Sequence, residues 1–195
     1  MLDVAYRAFA EQGYETVSMD AIAAGAGVTK PLVYSYFGSK EELFAACLER
    51  LVEANLAALR EAVRPGLRPD QQLWAGILAQ LTFIDERRDE WNAYVREAVV
   101  RGGPAATALG SGRHRLVELL ADLVERGLRD QIGGVPPRKE VELAATALQG
   151  AMEQVAAWWE HHPSEPKDAV ALRLMNFAWQ GMDNIMRGQV WLPDD

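Results

Sequence analysis

The sequence predicts an all-α fold, with a short three-helix unit over residues 1–45 and a larger helical body over residues 46–195. Three observations predict it. Apolar residues recur at i, i+3 and i+4 along nearly the whole chain. Serine, threonine and glycine stand where such helices must start and stop. No stretch alternates apolar and polar residues with the period of a half-buried strand, and no internal repeat or low-complexity tract interrupts the pattern.

The elements follow in order. Leu2 to Gln12 carries Leu2, Ala5, Tyr6 and Phe9 on one face and stops at Gly13, which suits a left-handed cap. Ser18 is a natural N-cap for a helix over Met19–Gly25, with Asp20 near its positive end. Gly27 supplies a sharp turn because it lacks Cβ. Thr29 then caps a helix with Pro31 in its first turn, where the missing N–H costs little, and this helix ends near Phe37 and Gly38. Ser39 caps a fourth helix with Glu41 and Glu42 in its first turn, running to Val63. Further helices are expected over Gln71 to Glu86, Glu90 to Arg101, Arg113 to Ile132, Arg138 to Trp159 and Asp168 to Arg187. Pro104 to Gly112 is small and reads as a loop, and His161 to Pro166 reads as a linker.

Composition bounds the function. Of the 195 residues, 49% are apolar, enough for a sizeable core. No run approaches the ~18 apolar residues of a membrane span, and no secretion signal opens the chain, so a cytoplasmic protein is expected. The single cysteine, Cys47, leaves no internal disulfide. The net charge of −8 argues against a bulk basic footprint. Residues 1–45 hold six acids against three bases, Arg7, Lys30 and Lys40. Nucleic-acid binding by this unit must therefore rest on well-placed amides, hydroxyls and a few lysines. Met1 already lies inside the first helical pattern, so a basic arm ahead of it is an open expectation.

Residues 18 to 40, SMDAIAAGAGVTKPLVYSYFGSK, carry the most information. Two short helices around a glycine turn, then a long third helix, form a helix–turn–helix unit, whose second helix enters the DNA major groove. The stretches AFAEQGYETVSMDAIAAGAGV and TKPLVYSYFGSKEELF closely resemble the TetR/AcrR family of bacterial transcriptional regulators. The likeness is strong over residues 2 to 52 and weak beyond. Ala23, Gly27, Val28 and Val33 read as the packing seam. The resemblance implies that Thr29, Lys30, Pro31, Leu32, Ser35 and Tyr36 face DNA, that Tyr34 and Tyr36 bond phosphates, and that Ser18 and Lys40 clamp phosphates at two helix N-termini. Leu32 has no polar group and can read only a thymine methyl or groove shape.

The family's divergent body implies a small organic effector and a homodimer. The aromatics Trp74, Phe83, Trp91, Tyr94, Trp158, Trp159, Phe177 and Trp179 suggest a mainly apolar cavity of a few hundred Å3, with ligand contacts expected from Trp74, Leu78, Trp91, Tyr94, Val95, Leu120, Met152, Val155 and Trp159. Polar candidates beside it are Asn92, Gln149, Glu153, Gln154 and Asn176. The two C-terminal helices are expected to form the dimer interface, with Ala144, Ala145, Ala147, Gly150 and Ala151 allowing close approach.

Two other classes compete. A helical ligand-binding or interaction protein could keep the motif only as scaffold, and the acidic first 45 residues favour it. An enzyme is disfavoured, since no G-x-S-x-G, P-loop or dinucleotide glycine pattern appears. His161 and His162 are adjacent and lack a partner four residues on, so no metal or other cofactor is expected. The reading is a DNA-binding regulator, a repressor that holds a palindromic double-stranded operator as a homodimer and is released by its effector.

Overall fold

The computed structural model describes residues 1–64, 66–132 and 137–186, with side chains described outside 127–132 and 182–186. Its helices are α1 (Leu2–Gln12), α2 (Met19–Gly25), α3 (Lys30–Phe37), α4 (Lys40–Ala62), α5 (Pro69–Glu86), α6 (Arg88–Arg101), α7 (Gly103–Ile132), α8 (Arg138–Glu160) and α9 (Lys167–Met186). No strand occurs among the described residues. Expected and observed boundaries agree within about two residues except at one place. Arg187, expected to end the last helix, lies outside the described residues.

The exception is 104–112, expected as a loop and found inside α7. Two glycines at positive φ, Gly102 at 72° and Gly103 at 58°, end α6 and turn the chain. Pro104 then stands in the first helical turn, where proline is tolerated. Ala105 and Leu109, one turn apart, are buried and give this small-residue stretch a core face. Gly112 follows on that side, and a Cβ there would lie 2.7 Å from Val52 Cγ1. The small residues read as a loop thus permit α7 to lie close against α4.

The chain forms two compact units, one of Met1–Ala57 with Glu86–Arg115, the other of Ala58–Asp85 with the chain from Leu116 onward. The boundary expected after residue 45 falls inside α4, and α6 belongs to the first unit.

An aromatic core holds the first unit. Phe44 packs edge-on to Phe9 and Tyr14, each at 5.2 Å between centroids, and stacks on Tyr94 at 4.9 Å. Tyr6 stacks on Tyr94 from the other side of the sequence at 5.1 Å. Such pairs contribute about 0.5–1.5 kcal/mol beyond the area they bury. Tyr94 is fully buried, and its hydroxyl donates to the Tyr6 carbonyl at 2.9 Å, so the ring enters the core without an orphaned polar group. The Tyr6 hydroxyl donates to Glu90 Oε2 at 2.6 Å, a second tie from α1 to α6.

The second unit packs α5, α8 and α9 around Ile77, Leu81, Met152, Trp159, Val170, Ala171 and Leu174. The turn joining α8 to α9 is pinned from within. Trp159 Nε1 donates to the Glu165 carbonyl at 2.8 Å, and Arg173 pairs with the Glu165 carboxylate at 2.7 Å. A smaller cluster joins α7 to α8 through Ala121, Val141 and Ala145.

Candidate nucleic-acid interface and apolar cavity

The turn between α2 and α3 sets the interface. Gly27 adopts φ +67°, and a Cβ there would meet nothing within 4 Å. Its role is the left-handed turn alone, so the expectation that it also packs the seam is corrected. The seam is made by Ile22, Ala23 and Val33, all buried, with Val28 half-buried. Gly25, not singled out from the sequence, does serve packing: a Cβ there would lie 3.0 Å from Val4 Cγ1 of α1.

With Val33 buried and Phe37 half-buried, α3 turns the rest of its length outward. Thr29, Lys30, Pro31, Leu32, Tyr34, Ser35 and Tyr36 are all exposed, and of the exposed large apolar side chains Leu32, Tyr34 and Tyr36 the last is the most exposed, at 68%. An exposed Leu32, Tyr34 and Tyr36 on one eight-residue helix is an apolar surface that a partner would cover. Ser35 Oγ donates back to the Leu32 carbonyl at 2.8 Å, which leaves its lone pairs outward. Thr29 occupies the N-cap position, but its side chain makes no capping bond.

The groups expected to clamp phosphates sit at helix starts. The Ala21 N–H donates to Ser18 Oγ at 3.1 Å, and the Ser18 hydroxyl proton remains available to a phosphate. The Glu42 N–H donates to Ser39 Oγ at 3.1 Å and caps α4 beside Lys40. Lys40 is half-buried, with Nζ 4.3 Å from the Tyr14 ring centroid and 3.3 Å from the Glu15 carbonyl, to which it donates. Arg101 of α6 also lies over Tyr14, Cζ to centroid 3.8 Å, and pairs with Glu15 and Glu97. The loop before α2 is therefore clasped by two cations on one ring. Burial, and then the Glu41 carboxylate, push Tyr14 up to about 12. Lys30 is bonded to Asp20 at 2.7 Å, and that carboxylate raises the lysine further. Neither the clasp nor the Lys30 pair was legible in the sequence, because both join residues across turns whose geometry spacing does not reveal.

The second unit holds a partly open cavity of about 120 Å3. It is lined chiefly by aliphatic groups, among them Leu59, Ile77, Leu116, Leu120, Val141 and Met152, together with the amides of Gln72, Gln80 and Gln149. This volume is smaller than the few hundred Å3 expected, and no aromatic residue is among its described lining; the groove between α8 and α9, of about 440 Å3, is lined in part by Trp158 and Phe177. Of the expected ligand contacts, Leu120 and Met152 line this cavity. Trp74, Leu78 and Val155 pack against the buried cluster that contains Trp159, and Val155 also lines the groove between α8 and α9. Trp91, Tyr94 and Val95 lie on α6 in the other unit, where Tyr94 is consumed by the aromatic core. Among the polar candidates Gln149 lines the cavity, Gln154 lines a groove between α8 and α9, Asn176 bonds the Leu172 carbonyl, and Asn92 belongs to α6. Gln80 was missed. Its signal was a polar residue on the stripe Leu73, Ile77, Gln80, Ile84.

Exposed groups mark the outer face of α8 and α9. Leu143, Ala147, Gly150, Gln154 and Trp158 follow helical spacing, with Leu143 and Trp158 exposed. Trp158, Leu174 and Phe177 help line the α8–α9 groove, and Phe177 is 74% exposed. Ala144 and Ala145 face inward, the first onto the cavity and the second into the core.

The model for bacterial regulatory proteins of the tetR family matches residues 1–47, and the tetracyclin repressor-like C-terminal domain matches residues 69–181. The chain belongs to the TetR family. Curated TetR-family relatives extend over nearly the whole chain. The transcriptional activator FasR of Mycolicibacterium smegmatis is 25% identical over 95% of this chain and 82% of its own. The regulator AcrR of Shigella flexneri is 42% identical over 89% and 86%. A TetR-like regulator from Rhodococcus sp. RHA1 has 37% identity and a TM-score of 0.66, covering 93% of each chain. The family and these relatives are transcriptional regulators, not enzymes. Among the described residues, no helix is long and apolar enough to cross a membrane.

Proposed function

We propose that this TetR-family regulator is a ligand-responsive repressor that binds an inverted-repeat operator as a homodimer. The observation that carries the reading is the outward face of α3, where Thr29, Leu32, Tyr34, Ser35 and Tyr36 surround a single buried anchor, Val33. Two such helices would occupy successive major grooves about 34–36 Å apart. Ser18, Tyr34, Tyr36 and Lys40 would fix the register on phosphates, and Leu32 and Lys30 would contact base edges.

The dimer reading is supported by the exposed stripe Leu143, Ala147, Gly150 and Trp158 with Phe177. Its small residues let two helices approach, and a two-fold assembly suits an inverted repeat. The effector reading is supported by the apolar cavity and by the continuity of α4, which begins at Lys40 and carries Leu59 on the cavity wall. A ligand that fits one setting of α4 better than the other shifts the DNA-binding equilibrium by that difference. The named relatives include an activator, FasR, and a repressor, KstR2 of Rhodococcus jostii, 26% identical to this chain. Repression is the simpler output, since an operator-bound dimer blocks a promoter without further contacts.

The test is operator binding by Lys40→Ala across several salt concentrations. Binding should weaken for every sequence, and the salt slope should fall by roughly one unit. An unchanged affinity and slope would remove Lys40 from the interface.

A further inference from the structure

We infer that the cavity of the second unit takes a small uncharged molecule bearing one hydrogen-bonding group, and that Gln80 reads that group. The inference rests on the cavity being the effector site.

The lining decides the charge. Among the described residues it contains no Lys, Arg, His, Asp or Glu. A carboxylate or ammonium entering it would lose hydration with no opposite charge to meet, which strongly disfavours either. A hydrocarbon would enter without that cost but would leave the amides unanswered.

The amides decide the polar group. Gln72 Nε2 donates to the Leu67 carbonyl at 2.7 Å, so this side chain ties the segment before α5. Gln149 Nε2 donates to Glu153 Oε1 at 3.2 Å. Gln80 is only 5% exposed, lines the cavity, and makes no side-chain hydrogen bond among the described residues. Its amide is not among the fully buried side-chain groups that lack a partner, so it is open to the cavity, where a molecule from outside the fold can bond it. An amide both donates and accepts, which matches a carbonyl, a hydroxyl or another amide.

The backbone decides where the molecule sits. Gly76 lies one turn before Gln80 on the same face of α5. Its missing side chain lets α4 pack close beside the amide, since a Cβ there would be 3.3 Å from Leu59 Cδ1. The 120 Å3 volume approaches that of an engineered cavity of about 150 Å3 that holds one benzene. The initial fit is therefore a single ring or a chain of comparable bulk.

The test uses one-ring probes on the full-length protein: toluene, benzyl alcohol, benzamide, benzoate and benzylammonium, followed by calorimetric titration and by the rise in melting temperature. Benzamide and benzyl alcohol should bind about five- to tenfold more tightly than toluene, the effect of one hydrogen bond, with both ions weaker than toluene. Gln80→Met, close in shape, should bring benzamide and toluene level, while Gln72→Leu should keep their ranking. Ala144→Phe, placed to fill the cavity, should abolish binding of the whole series. Equal binding of toluene and benzamide, binding of benzoate as tight as benzamide, or an unchanged ranking in Gln80→Met would overturn the inference and leave the effector site standing. Failure of all five probes to bind would overturn the effector-site reading itself.

Discussion

Lys30, the one cation on α3, is bonded to Asp20 of α2 through Nζ and Oδ2 at 2.7 Å. Both side chains are exposed, so the pair is a weak one and is open to competition. A phosphate or guanine edge must take the lysine from Asp20 and must also approach that carboxylate. Asp20→Asn is therefore expected to tighten operator binding by about two- to fivefold, the range of a surface pair. The salt dependence should steepen by about one unit as Lys30 becomes fully available. Fluorescence anisotropy at several salt concentrations measures both. Weaker binding in Asp20→Asn would mean that the pair orients Lys30 for its contact.

Two glycines of α7 separate packing from propensity. Gly112→Ala places a Cβ against the β-branched Val52, which has little rotamer freedom in α4, and should cost about 1–3 kcal/mol. Gly110→Ala, with nothing within 4 Å, should instead gain about 0.5–1 kcal/mol from helix propensity. Urea denaturation of the two variants checks the pair. Equal effects would show that α7 does not press on Val52.

Alkali should loosen the first unit, while neutral pH leaves it intact. Burial pushes the Cys47 thiol from 9.0 up to about 12 and Tyr14 from 10.0 up to about 12. Burial likewise raises Tyr6 and Tyr94 above the ordinary tyrosine range. Between pH 9 and 12 the unfolded chain releases protons that the folded chain keeps, so the unfolded state binds fewer and stability falls as pH rises. The stabilising contribution is intact below pH 9. Denaturation midpoints at pH 8 and pH 10.5 should show the fall, and Cys47→Ala should shift its onset upward.

The outer face of α8 and α9 gives a direct assembly test. Ala147→Glu and Phe177→Glu place charges on exposed positions that the dimer reading buries. Each should yield monomers by sedimentation while leaving melting of the isolated chain nearly unchanged. A dimer that survives both substitutions would move the interface elsewhere.

The helix–turn–helix was legible because each of its boundaries carries its own chemistry. Ser18 caps, Gly27 turns, Pro31 starts and Gly38 stops, and all four stand where the helices begin and end. The body was legible as helices, and of the expected contacts Leu120 and Met152 line its cavity. Eight large aromatics suggested an aromatic pocket, yet Tyr94 completes the core of the first unit and Trp159 bonds across its own turn. A helical stripe tells that a side chain is buried, not which of two cores receives it. Helix 104–112 was missed for a related reason. Proline and glycine mark loops in isolation, whereas here one opens α7 and the other fits it against Val52.

The central claim is that α3 reads DNA as a symmetric pair, and selection from a random duplex pool tests it most directly. The expected result is one enriched inverted repeat, with half-sites about one helical turn apart between centres. Leu32→Ala should relax the base preference within each half-site, while Ser18→Ala should weaken all sequences alike. Enrichment of no sequence by the intact chain, its native N-terminus included, would contradict the account.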